Sequence, residues 1–102
     1  MAVEPLSRDD IEARLADLPG WSVTDDERLT RTYSFGGHPA AAGMVAHIAQ
    51  IQEELNHHSD IALGYNKVTV SVNTHSVGGK VTEMDFALAR RIEAIASAHD
   101  AQ

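Results

Sequence analysis

The chain has 102 residues, no cysteine, and 8 Lys plus Arg against 15 Asp plus Glu, a formal net charge of −7. One domain spanning residues 1–102 is expected, and the absence of cysteine excludes disulfides and thiolate metal sites. The acidic balance speaks against a nucleic-acid partner, and no apolar run approaches the ~20 residues of a membrane span. The opening MAVEPLSRDD lacks a basic and apolar leader, so a cytoplasmic location with no membrane partner is expected.

A first helix follows Ser7, which is spaced with Asp10 like a capping box, and Leu6, Ile11, Leu15 and Leu18 supply its apolar stripe. Pro19-Gly20 ends it. Two strands come next: Trp21 and Val23 alternate with polar neighbours, then Leu29, Tyr33 and Phe35 share one parity, which Arg31 breaks. Pro39 opens a long helix with Ala41, Met44, Val45, Ile48, Ile51 and Leu55 on its buried stripe, ending close to His57-His58. Ile61 and Leu63 mark a third strand, and Gly64-Tyr65-Asn66 a turn. Val68, Val70 and Val72 alternate with polar residues in the clearest strand of the chain. After Gly78-Gly79, Thr82 and Asp85 are spaced like a capping pair, and Val81, Leu88, Ile92 and Ile95 give the last helix its stripe. The predicted fold is α+β in the order αββαββα, a four-stranded antiparallel sheet with its helices on one face.

Chemistry centres on six histidines in this short acidic chain, because imidazole alone has an ordinary pKa, ~6.5, near neutrality. Glu53 and His57 are four apart, so on a helix their side chains meet. The plain alternative for His57 and His58 is satisfaction of free carbonyls at a helix end. His75 follows a strand and precedes a glycine-rich loop, a usual station for a functional group, though also for a solvated one. Asp85 lies on or beside the inward face of its helix, either as a cap or as the partner that orients an imidazole. His57 and His58, being adjacent, lack the three- or four-residue step of helical zinc ligands, so no metal site is expected. His38, His47 and His99 show no supporting pattern, and His99, near the end, is expected to be solvated. No phosphate loop or nucleophile elbow is present. Imidazoles and carboxylates alone perform general acid–base chemistry, which suffices for eliminations, hydrations and tautomerisations.

In order, Glu53-x3-His57-His58-Ser59, Tyr65-Asn66-Lys67-Val68, Thr74-His75, Gly78-Gly79 and Asp85 resemble the pterin-4a-carbinolamine dehydratases. The stretch EELNHHSDIALGYNKVTVSVNTH is the specific part, with weaker similarity over nearly the whole chain. The resemblance implies a four-stranded sheet with three helices on one face. It also implies dehydration of 4a-hydroxytetrahydropterin to quinonoid dihydropterin without metal or organic cofactor. By motif position His57 and His75 are implied as the acid–base pair. His58 is implied to act with them and to orient the pterin, and Asp85 to set up an imidazole or bond the ring. Glu53, Ser59 and Thr74 join His58 as implied substrate-binding positions, and Tyr65 is implied as packing. A homodimer or homotetramer is implied as well.

Three departures stand out. Ser59 occupies a position often held by proline. The loop Gly78-Gly79-Lys80-Val81-Thr82 is one residue longer than the usual Gly-Gly-Leu-Thr, which puts the placement of Asp85 relative to His75 in question. The Gly36-Gly37-His38-Pro39-Ala40 turn lacks a frequent aromatic. A binding or dimerisation module without turnover is the competing reading, and a metal-dependent lyase or hydrolase a third.

Overall fold

A computed structural model of the chain describes residues 3–102. It runs α1 (Arg8–Leu15), β1 (Ser22–Val23), β2 (Leu29–Ser34), α2 (His38–Leu55), β3 (Asp60–Leu63), β4 (Lys67–Val72) and α3 (Glu83–Ala96), the expected order, with short 3-10 turns at His75–Val77 and Ser97–His99. The antiparallel strands are arranged β1-β2-β4-β3.

Val68, Val70 and Val72 are each fully buried and point to the helix side of β4, as their alternation predicts. Full burial of one such side chain stabilises by about 1.5–3 kcal/mol. They meet Ala41, Met44, Ile48 and Ile51 of α2 and Phe86, Leu88, Ala89 and Ile92 of α3 in one core. Leu6, Ile11 and Leu15 are only partly buried against that core, so α1 is the most lightly attached helix. The other sheet face is polar, with Thr32 and Thr69 paired through their hydroxyls at 2.9 Å.

The parity break at Arg31 has a structural cause. Its guanidinium lies 4.5 Å from the centre of the Tyr33 ring and donates to the Pro19 carbonyl at 2.6 Å. Gly20 has φ +93°, and a side chain there would collide with Arg31. Glu93 of α3 accepts from the Tyr33 hydroxyl at 2.6 Å and from Trp21 Nε1 at 3.0 Å, pinning β1 and β2 to α3. Burial, reinforced by Glu93, pushes the Tyr33 phenol well above its ordinary value of 10.

This has a pH consequence. The unfolded phenol ionises first, so the stabilisation is fully present below pH 10 and is lost as pH rises towards the raised native value. Denaturant midpoints measured at pH 9 and 11 are expected to fall more steeply for the native chain than for Tyr33→Phe. Equal slopes would show that the Tyr33 phenol does not couple to folding.

Two expectations about exposure are corrected. Tyr65 is 74% exposed, stacked on His38 rather than packed inside, because it sits at the tip of the β3–β4 hairpin. His99 is not simply solvated: its Nε2 lies 2.9 Å from His47 Nδ1, since the closing 3-10 turn folds back against α2.

Candidate active site

The site forms where the segment entering β3 meets the segment leaving β4. The register pairs Asp60 with Ser71, so residues 57–59 and 73–75 lie at one end of the sheet. α2 stops at Leu55, two residues before the expected end, because Asn56 takes a left-handed conformation (φ 50°, ψ 42°). The His57 N–H then closes the helix by donating to the Gln52 carbonyl at 3.1 Å, a Schellman-type termination.

This termination corrects the expected Glu53–His57 contact. Beyond the last helical turn the i,i+4 relation no longer holds. Glu53 instead meets His58, with its Oε1 3.2 Å from Nε2, in an exposed pair. His57 swings inward, and its Nε2 lies 2.6 Å from Asp85 Oδ1. Asp85 is fully buried and completes a capping box: its Oδ2 accepts from the Thr82 N–H at 2.8 Å. The two readings left open for Asp85, cap and imidazole partner, are thus both realised, one by each oxygen. Oδ2 also lies 3.0 Å from the Thr74 hydroxyl. A carboxylate holding three donors acts as acceptor only, so His57 carries its proton on Nε2.

His75 stands exposed on the 3-10 turn. An open cleft of about 340 Å³ is lined by His57, His58, Thr74 and His75, with Asn56, Asn73, Ser76 and Met84 completing its wall. Small-molecule pockets run from about 300 to 1,000 Å³, so the cleft is large enough for a bicyclic ring system. Of the residues singled out from sequence, His57, His58, Thr74 and His75 line this cleft. Asp85 sits behind His57, whereas Glu53 and Ser59 are not among the lining residues.

The glycine loop is tied down locally. Gly78 and Gly79 both adopt φ +77°, and the Thr74 N–H donates to the Lys80 carbonyl at 2.9 Å across an isolated bridge. Asn73 Nδ2 donates to the Gly79 carbonyl at 3.1 Å. Lys80 also pairs with Glu27, and Asp85 beyond the loop lies on His57.

Sequence reasoning missed Gln52. It is buried among the apolar residues of α2, and its Oε1 accepts both the Ser59 N–H, at 2.8 Å, and the Ser59 hydroxyl. Residues 52 and 59 thereby clamp the turn that carries both histidines, and a proline at 59 could supply neither donor. Only the polar residue within a helical apolar stripe could have signalled this. Gln52→Met keeps the length but leaves the Ser59 N–H unpaired, so a loss of about 1–3 kcal/mol is expected in denaturant titration.

Among the described residues no three His, Asp or Glu side chains converge on a point that would hold a metal. Nor is any described helix long and apolar enough to cross a membrane. Fold and cleft together define a small α+β domain bearing an imidazole–carboxylate pair at an open cleft. Comparison with known proteins gives that class its family. The sequence profile of "Pterin 4 alpha carbinolamine dehydratase" matches residues 4–95, and the chain belongs to this family. A Streptomyces avermitilis protein is 63% identical over 101 residues, 99% of each chain. A Streptomyces coelicolor protein is 59% identical with the same coverage. Both are named, provisionally, pterin-4-alpha-carbinolamine dehydratase. The crystal structure of a transcriptional coactivator/pterin dehydratase from Brucella melitensis superposes with a TM-score of 0.86 at 36% identity, covering 91% of this chain and 99% of that one. A pterin dehydratase-like RuBisCO assembly factor of the alpha-carboxysome shares the fold, with a TM-score of 0.64 at 22% identity, 78% of this chain and 92% of that one.

Proposed function

We propose that the protein dehydrates a 4a-hydroxytetrahydropterin to quinonoid dihydropterin and water by histidine general acid–base catalysis. The observation that carries this reading is the convergence of His57, His58 and His75 on one cleft, with His57 held from behind by buried Asp85. The reaction asks for two proton movements and no change of redox state. A proton reaches the C4a hydroxyl, the C4a–O bond breaks and water departs. The proton on N5 is removed, and its electron pair forms the new C=N bond.

His57 suits the removal step. Asp85 holds its Nε2–H, leaving Nδ1 to accept a proton, and the same carboxylate then stabilises the imidazolium. His75, which has no side-chain hydrogen bond among the described residues, suits the donor step from its exposed turn. His58 orients the ring from the cleft rim. Neither step calls on a metal or organic cofactor, so the rate is expected to be unchanged by strong chelators.

The test is stopped-flow absorbance on enzymatically generated 4a-hydroxytetrahydropterin. Acceleration over buffer is expected, and none at micromolar protein would end the proposal. Pterin binding or oligomerisation without acceleration would instead favour a module that keeps the fold and has lost turnover.

A further inference from the structure

The resemblance assigns Thr74 to substrate binding, but its hydroxyl is engaged elsewhere. Thr74 is 3% exposed and Thr82 is fully buried. The Thr82 hydroxyl oxygen accepts the Met84 N–H at 3.1 Å as part of the helix cap. Its own proton then has one partner within reach, the Thr74 hydroxyl at 2.8 Å. Thr74, receiving that proton, donates its own to Asp85 Oδ2 at 3.0 Å. Asp85 as a carboxylate donates nothing, so the chain of hydroxyls runs one way: Thr82 to Thr74 to Asp85, and His57 Nε2–H closes on the other carboxylate oxygen.

We infer that Thr74 is a positioning residue, directed by Thr82, which fixes the Asp85 carboxylate so that His57 is held in one tautomer and one orientation. This rests on the dehydratase reading for its kinetic arm and on the geometry alone for its spectroscopic arm. The arrangement also explains why Asp85 can sit fully buried. Every donor around it is aimed at a carboxylate oxygen, and a half-filled network would cost more than none. The hydroxyls come from two elements, the end of β4 and the cap of α3, so the relay also ties those elements together beneath the cleft.

The experiment compares Thr74→Val, Thr74→Ser and Thr82→Val with the native chain. Native protein is expected to show a slowly exchanging His57 Nε2–H proton by NMR. In both valine variants its exchange with water should rise at least ~10-fold, because Asp85 loses a donor or the donor loses its direction. Thr74→Ser should restore slow exchange. In the dehydration assay Thr74→Val is expected to lower kcat about 10-fold with KM within ~2-fold, roughly the loss of one hydrogen bond to a charged group. A rise in KM at unchanged kcat would mean that Thr74 touches substrate and would overturn the inference. Unchanged proton exchange in both valine variants would overturn it too, whatever the activity of the native chain. Should Thr82→Val fail to fold through loss of its cap, Thr74→Val decides alone, since it leaves that cap intact.

Discussion

His57→Ala is expected to lower kcat for dehydration by about 10²–10⁴-fold, the usual worth of a positioned general base. His57 is buried against Asp85 at 2.6 Å and lines the cleft, so it joins a fixed carboxylate to the substrate space. His75→Ala should follow it in scale if the donor step is shared. His58→Ala should act differently. Its ring is about half exposed and paired with the exposed Glu53, so it contributes contact more than proton transfer, and its loss should mainly raise KM. Steady-state parameters for the three variants, measured on one substrate preparation, decide the matter. Equal losses of kcat in all three would dissolve the division of labour.

Much of this was legible in the chain, for definite reasons. The strand β4 was readable because Val68, Val70 and Val72 alternate without interruption beside a buried layer. The cap of α3 was readable because Thr82 and Asp85 carry a spacing that local geometry enforces. What the sequence hid was tertiary. Arg31 looked like a break in an apolar parity, and only the positions of Tyr33, Pro19 and Glu93 show it covering an aromatic face. The partner of His57 was hidden by one left-handed residue, Asn56, which ends α2 early and redirects the imidazole from Glu53 to a carboxylate 28 residues away in sequence. A helical spacing rule is valid only as far as the helix, and Asn56, a residue type that tolerates the left-handed conformation, is where α2 ends.

Asp85→Ala is expected to be the most destabilising substitution in the site as well as an inactivating one. The carboxylate is fully buried and satisfies the Thr82 N–H, the Thr74 hydroxyl and His57 Nε2–H together. Removing it strands three buried donors and opens a void, and each buried donor left unpaired costs about 1–3 kcal/mol. For a domain of this size each kcal/mol lowers Tm by about 4–8 °C, so the transition should fall by well over ~10 °C. Asp85→Asn separates the two roles. It keeps the volume and one acceptor oxygen, yet its amide nitrogen must confront a donor, either His57 Nε2–H or the pair formed by Thr74 and Thr82. If the amide oxygen takes the cap, the nitrogen faces His57 and forces the ring to present an acceptor at Nε2. The proton then moves to Nδ1, and the base is lost while the fold survives. Asp85→Asn is therefore expected to recover most of the lost stability and almost none of the lost kcat. A variant that recovered both would show that Asp85 only caps α3 and takes no part in preparing His57.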